Sequence, residues 1–525
     1  MSDTPENTIP PPTTGFQVPV RKRALWGLGG ATDAMMYQGV NILVDPIMNM
    51  GMGVDSRILG LARSLPRFAD ILLDPLIGHL SDNTRSRWGR RKPWMLVGVL
   101  MATLIAIFMW HVPGNPADYV APAKDASIMQ VFMASAWRNS FVVGMLVLFF
   151  TFAYSLFTIP YNGQGYEMTT DYNERTHLFA WRQYAYAATG FVIPWLPNLC
   201  IKTDILVFGA EKKTASGLHA IPWIGLILGV LILATAIGPI FFTGEGKTKH
   251  TGEEKVSFVT AAGQTLRNKA FWPLVITNFL IKFGGIATGG FFMYVIIYYM
   301  CGGSKDAGTA FCAIFFNSIN IATIIAMAPM VKLTDKLGKK PMLIVLLVAS
   351  AVAYASVWFT LRPYGAMPTA PADGAGFLGW LTQMAQLAAW GWPALITGAG
   401  IGIFCNFQPL LINSMLADVC DVDELKSGHQ RQAFYGAVFV TCDKIAMGVG
   451  MLLSGYLLAW SGFLSDQVEQ SATTIGYWTH ALLYTQPTGF VLGVLVILAY
   501  PITRATATEV RRQLDERQAN RSNQP

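Results

Sequence analysis

What most constrains this chain is a succession of apolar runs spread from end to end, with the charged residues clustered between them. About twenty predominantly apolar residues wound as a helix cross roughly 30 Å of hydrocarbon. One such run would be a signal or an anchor, whereas about a dozen make lipid the solvent of the whole chain. The runs begin near Ala24, Arg57, Met95, Phe141, Leu178, Ile221, Phe271, Ala307, Met342, Leu387, Ala433 and His480. Each is expected to be a helix, because a helix satisfies its own backbone where no water is present. Composition agrees, since only 13% of residues are charged, against about a quarter in soluble domains.

Residues 1–23 are polar and Pro-rich up to the cluster Arg21-Lys22-Arg23, with no apolar core of a cleaved signal, and read as a disordered cytosolic tail. The formal charge of +7 raises the question of nucleic acid. The basic residues fall in alternate loops, so the positive-inside rule accounts for them and no nucleic-acid partner is expected. With the N-terminus inside, the cytosolic segments hold roughly 25 Lys and Arg and the external loops roughly 8. Both termini are therefore expected in the cytoplasm of a bacterial inner membrane. External loops such as Pro113 to Ser140 and Pro363 to Gln386 are rich in Pro, Gly, Ala and Ser. The 6 cysteines show no paired spacing and read as small core residues, with no disulfide or metal site.

The chain repeats itself once. Gly78-His-Leu-Ser-Asp82 leads through Gly89-Arg90-Arg91-Lys92-Pro93 between the second and third spans. Lys332-Leu-Thr-Asp335 leads through Gly338-Lys339-Lys340-Pro341 between the eighth and ninth. Both read as Asp, basic residues, Gly, a basic pair and Pro on a short inside loop. They sit at equivalent places in two six-span halves, 24–243 and 271–503, joined by a polar linker, 244–270, and followed by a cytosolic tail, 504–525. The expected fold is thus all-α and polytopic. About twelve transmembrane helices form two pseudo-symmetric six-helix bundles, the major facilitator arrangement, with substrate bound between the halves at mid-membrane. Asp82, Arg90 and Asp335 are gating candidates, since such loops tie helix ends together on one side; topogenic charge is the other reading.

Ionisable residues inside a bilayer are costly and face a cavity or a partner. The second span reads Arg63-Ser-Leu-Pro-Arg67-Phe-Ala-Asp70-Ile-Leu-Leu-Asp74-Pro75. Asp70 and Asp74 share one helix face, with Arg67 on the same side. Paired carboxylates either raise the pKa of one member or recruit a cation, and both H⁺ and Na⁺ fit the pair. A structural Arg67–Asp70 salt bridge is the alternative. The first span carries Asp33, Tyr37 and Asn41 at four-residue spacing, a polar and aromatic stripe suited to sugar hydroxyls or to helix packing. Asp45, near the external end, reads as solvated. The fourth span holds Ser155, Thr158, Pro160, Tyr161, Asn162 and Gln164. Arg182 in the fifth span either bridges to Asp33 and a substrate or snorkels to the interface. Lys444 in the eleventh span pairs across the halves with Asp70, Asp74 or Asp33, or locally with Asp443. Lys282 has no evident partner in sequence. Gly284 to Gly290 reads as close helix packing. An enzyme is not expected: no nucleophile–base pair, metal cluster or phosphate loop is evident, and no cofactor is implied.

The run Asp70-Ile-Leu-Leu-Asp74-Pro75-Leu-Ile-Gly78 through Asn83-Thr84-Arg85-Ser86-Arg87-Trp88-Gly89-Arg90-Arg91-Lys92-Pro93-Trp94 resembles the glycoside–pentoside–hexuronide:cation symporters, of the melibiose-permease-like kind. Asp33, Ile159-Pro160, Thr170 to Arg175, Arg182, Asp423-Glu424-Leu425, Phe434-Tyr435-Gly436 and Lys444 extend the resemblance over both halves. It implies a coupling cation at Asp70, Asp74 and Ser155, sugar at Asp33 and Arg182, and Lys444 near the cation. Tyr37, Asn41, Thr158 and Asn162 complete the expected substrate site, and Arg67 the coupling set. Three departures stand out. Leu73 replaces an asparagine, removing an oxygen that Na⁺ would use. Thr158 replaces a sugar-binding aspartate, and Asn162 a tryptophan. The expectation is a monomeric secondary transporter that moves a glycoside or oligosaccharide with H⁺ or Na⁺. A lipid or organic-acid cargo, or a non-transporting receptor, is the alternative.

Overall fold

The computed structural model describes residues 18–50, 54–109, 137–168, 172–201, 221–244, 267–368, 376–428, 432–464 and 467–522. Among these residues the chain is helical with no strand, and the helices assemble into twelve rods. The first rod runs through Val20–Gly27 and Gly29–Ala34, a π-helical Met35–Gly39, Val40–Leu43 and a second π-helical stretch, Val44–Asn49. Ser56–Asn83, Lys92–Phe108, Trp137–Glu167, Tyr172–Val192 with its continuation to Leu196–Ile201, and Ile221–Phe241 follow. The second half opens with Phe271–Gly289, continued by Phe291–Tyr294 and the π-helical Val295–Met300. Lys305–Leu337 and Lys339–Thr360 come next, then Trp392–Cys405 continued by Gln408–Ser427, then Gln432–Trp460 and Ala472–Ile497.

Eight of these rods are long and apolar enough to cross a membrane by length and composition, and Lys92–Phe108 is a shorter apolar helix. The second rod fails that test for a chemical reason: it carries Arg57, Arg63, Arg67, Asp70 and Asp74 in its length. Pro66 and Pro75 sit inside it. Asp55 caps it, accepting from the Arg57 N–H at 2.8 Å.

Several expected boundaries shift. The expected disorder of 1–23 does not extend to Val20–Arg23, which are already helical, and Val18 is buried; residues 1–17 lie outside the described set, as do most of the linker and of the loop Pro113 to Ser140. The tenth rod starts at Trp392, not Leu387. Leu387 belongs to a separate helix, Gly376–Trp390, within what reads as a loop, and the chain bends at Gly391 between the two. The C-terminal tail is the helix Arg504–Ser522, whose Arg517 donates to the Leu425 carbonyl at 2.8 Å.

The two repeated loops share a backbone solution. Gly89 has φ 114° and Gly338 φ 88°, conformations that side chains resist. Asp82 is held by Arg91, the residue after Arg90, at 2.7 Å. In the second copy Lys339 turns away from Asp335 and pairs with Asp418 at 2.6 Å. Asp335 lines a cleft of about 930 Å³ between that loop, the tenth rod and the C-terminal helix.

The halves meet along the second and eleventh rods, which run antiparallel. Ser56 donates to the Gly455 carbonyl at 2.9 Å, and Gly448 faces Phe68. A Cβ on Gly455 would lie 2.3 Å from the Ser56 carbonyl, so the small residue permits backbone contact, as membrane helices require. Hydrogen bonds between the halves gather at the end holding Asn49 and Lys305. Tyr294 donates to Asn49 at 2.7 Å, Lys305 to the Met50 carbonyl at 3.0 Å, Asn198 to Thr309 at 3.2 Å and Asn320 to the Gly190 carbonyl at 3.0 Å. At the opposite end, the Asp82–Arg91 and Lys339–Asp418 pairs each stay within one half.

Candidate substrate and cation site

Arg63, Arg67, Asp70 and Asp74 follow one another at spacings of four, three and four, the period of one helix face. Eleven residues of rise place them along roughly 16 Å of the second rod. Their partners come from the first, fourth and eleventh rods and from the second rod itself. Arg63 pairs with Asp45 of the first rod through two hydrogen bonds, 3.0 and 2.8 Å. Arg67 lies over the Tyr37 ring at 5.2 Å and bonds Asp70 at 3.3 Å. Ser155 of the fourth rod donates to the other Asp70 oxygen at 3.0 Å. Asp74 is bonded by Lys444 of the eleventh rod. This contact joins the two halves. The Asp74 oxygen not facing Lys444 is buried without a hydrogen-bond partner.

The second cluster lies between the first, fourth and fifth rods. Arg182 donates to Asp33 at 2.8 Å, and Thr158 donates to the other Asp33 oxygen at 3.1 Å. The Arg182 guanidinium also lies over the Tyr161 ring at 5.7 Å. Close packing makes the reach possible: a Cβ on Gly30 would stand 2.2 Å from the Arg182 carbonyl. Tyr161 in turn donates to the Trp26 carbonyl at 3.0 Å. Arg182 therefore sits on Asp33 and does not snorkel to an interface.

Between the halves is a cavity of about 300 Å³, lined by Tyr37, Gln38, Asn41, Asp45 and Arg63 on one side and Gly289, Gly290 and Ser454 on the other. Asn41 donates to the Tyr37 carbonyl. The Asn162 side-chain oxygen is buried without a hydrogen-bond partner.

Sequence reading placed several of these residues and missed others. Lys444 meets Asp74, not Asp443. Asp443 accepts from Asn278 at 3.0 Å and lies 4.0 Å from Lys282, the partner that sequence did not supply. Asp45 is not simply solvated, because Arg63 holds it with both terminal nitrogens. The signal was present: Arg63 precedes Arg67 by four residues on the same face. The glycine run is split in its role. A Cβ on Gly284 would meet Gln486 at 2.5 Å, whereas one on Gly289 meets nothing within 4 Å and points to open space. Asp82, Arg90 and Asp335 lie at the loop end, apart from the buried charges.

Two helical halves with a cavity between them, and carboxylate–cation pairs held inside the rods, make the architecture of a membrane carrier of the major facilitator type. A family model described as an MFS/sugar transport protein matches residues 25–504, and the chain belongs to that family, among the glycoside–pentoside–hexuronide:cation symporters. It is 27% identical to an uncharacterized symporter of Synechocystis, over 89% of this chain and 91% of that one. It is 22% identical to a glucuronide carrier protein homologue of Escherichia coli, over 89% of each. The fold matches that of the nucleoside transporter NupG, with a TM-score of 0.54, 14% identity, and coverage of 92% of this chain and 100% of that one.

Proposed function

We propose that this protein is a secondary active transporter that carries a glycoside or oligosaccharide together with H⁺ or Na⁺ by alternating access. The observation that carries the reading is the Lys444–Asp74 bridge between the halves, at the end of a stripe that also holds Asp70, to which Ser155 of the fourth rod donates. A proton or Na⁺ arriving at Asp74 competes with Lys444 for the same carboxylate. Ion occupancy and the contact between the halves then change together, which is what coupling demands. Asp33, Arg182 and Thr158 supply donors and acceptors for sugar hydroxyls beside Tyr161 and Tyr37. Leu73 adds no oxygen to the cation site, which favours H⁺ over Na⁺.

With both termini cytoplasmic, the inter-half bonds near Asn49 and Lys305 seal the external end. The Asp82 and Asp335 loops, each bonded within its own half, then border the cytosolic opening. This supports reading the conformation as inward-facing.

The test is thermal unfolding of the purified protein against a panel of mono- and oligosaccharides, with and without Na⁺, at two pH values. A ligand that binds only the folded state adds about 2.7 kcal/mol at a hundredfold its Kd. The expected result is stabilisation by one sugar, enhanced by Na⁺ or by lower pH, and loss of that enhancement in Asp70→Asn and Asp74→Asn. Stabilisation by lipids or organic acids and by no sugar would overturn the sugar reading. Ion enhancement that survives in both variants would overturn the cation assignment.

A further inference from the structure

The Asp45–Arg63 pair has no part in the coupling or sugar-binding roles proposed above, yet it forms part of the cavity wall. From it we infer that Asp45 and Arg63 are specificity-determining residues that fit the cavity for uncharged glycosides and set it against hexuronides. This rests on the sugar reading above and narrows it to a substrate class.

Three observations carry the inference. First, the pair faces the cavity. Asp45 and Arg63 keep 20% and 16% of their side-chain surface, against 5% for Asp33. Across from them stand Gly290 and Ser454; even a Cβ placed on Gly290 would be 3.8 Å from the Asp45 carboxylate, in ordinary contact and not in collision. Small residues thus stand opposite the carboxylate, and the open space of the cavity lies beside Gly289, where a Cβ would meet nothing within 4 Å.

Second, the pair has unused hydrogen-bonding capacity of both kinds. A guanidinium has five N–H donors and a carboxylate about four acceptor sites. Arg63 spends one N–H on each Asp45 oxygen and its Nε–H on the Leu59 carbonyl at 3.3 Å. Two donors and at least two acceptor sites remain. A sugar hydroxyl both donates and accepts, and finds both roles here.

Third, the charge is already matched. Arg63 is the cation among the cavity-lining residues, and it is held at both terminal nitrogens by a carboxylate. Other cations within the rods, Arg57, Arg67, Arg182, Lys282 and Lys444, lie against Asp55, Asp70, Asp33, Asp443 and Asp74. A uronate entering this cavity meets Asp45 along with Arg63. It would lose its hydration without gaining an unopposed cation, the situation that makes buried charge costly.

The test measures binding of 4-nitrophenyl glucoside, galactoside and xyloside, and of 4-nitrophenyl glucuronide, to the full-length protein by ligand-induced thermal stabilisation. Wild type is expected to bind one or more of the neutral glycosides at least tenfold more tightly than the glucuronide. Asp45→Asn unmatches Arg63, and the ratio of glucuronide to neutral affinity is expected to rise at least tenfold. The double variant Asp45→Asn/Arg63→Gln, which carries neither charge of the pair, is expected to lose that gain and to bind the neutral glycoside at least tenfold more weakly than wild type. If Asp45→Asn does not fold, the double variant decides alone, and unchanged neutral affinity in it overturns the inference. Glucuronide preferred by wild type, or an unchanged ratio in folded Asp45→Asn, overturns the inference while leaving the sugar reading intact. Binding of neither class overturns both.

Discussion

The two halves share a fold and a loop motif but not a chemistry. The first half supplies Asp33, Asp45, Arg63, Arg67, Asp70, Asp74 and Arg182 to the buried charge network, from three of its rods. The second half supplies Lys282, Asp443 and Lys444, and of these Lys444 alone reaches across, to Asp74. Its face of the cavity is made largely of Ile286, Gly289, Gly290, Met293, Phe316, Met451 and Ser454. One half therefore holds most of the buried ion pairs, and the other lines the opposite side of the cavity and meets that network through Lys444. Duplicated architecture does not require duplicated function; a pseudo-symmetric carrier can place its chemistry on one side and its closure on the other.

The sharpest way to break this comparison is at the ion pair that crosses between the halves. Asp74→Asn leaves Lys444 without its acid, and removing one partner of a buried pair costs about 3–5 kcal/mol. Gradient-driven accumulation in proteoliposomes is expected to vanish. Asp74→Lys combined with Lys444→Asp is expected to regain stability relative to either single reversal, as read by thermal unfolding; no such recovery would mean that the pair does not hold the halves together.

Next in size is a contrast between two glycines. Gly30→Ala pushes a Cβ into the Arg182 backbone, 2.2 Å from its carbonyl oxygen, and overpacking of this kind costs about 1–3 kcal/mol or more. Gly289→Leu projects into the open cavity instead. It is expected to leave the unfolding temperature near wild type while abolishing sugar-induced stabilisation. Equal loss of stability in both would place Gly289 in the packing and not on the cavity.

A smaller effect is expected at Arg182→Lys. The charge remains, but the planar fork that serves both Asp33 and the Tyr161 face is lost. Substrate affinity should fall by about tenfold, or about 1.4 kcal/mol, with the protein still folded. Smallest of all is Lys282→Met. Its 4.0 Å contact to Asp443 joins two partly exposed groups, and such pairs contribute below about 1 kcal/mol. Transport close to wild type is expected; severe loss would mean that the second half carries more of the chemistry than its geometry shows.

Much of the architecture was legible because its signals are local. Apolar runs mark the rods, the Asp-Gly-basic repeat marks the halves, and the spacing of Arg67, Asp70 and Asp74 marks a single helix face. What was not legible depends on neighbours. Lys444 had three acids within conceivable reach, and only the antiparallel packing of the second and eleventh rods selects Asp74. Asp45 and Arg63 are 18 residues apart on different rods, and the π-helical stretch Val44–Asn49 alters the helical register on which periodicity reasoning depends. The helix Gly376–Trp390 lay hidden because its first part adjoins a Pro- and Gly-rich stretch and reads with it as one loop. The separate fates of Gly284 and Gly289 depend on Gln486, more than 190 residues away.

The matching of buried charges has an electrical consequence. Among the described residues, Arg57, Arg63, Arg67, Arg182, Lys282 and Lys444 are each paired with a carboxylate. If the empty carrier reorients with these pairs intact or exchanged among themselves, it moves no net charge across the bilayer. A membrane potential acts with about 2.3 kcal/mol per elementary charge per 100 mV, so it would bear on the ion-loaded step and leave the empty return indifferent to voltage. Capacitive currents on a supported membrane should then appear when sugar and coupling ion are supplied together, and the unloaded protein should be electrically silent.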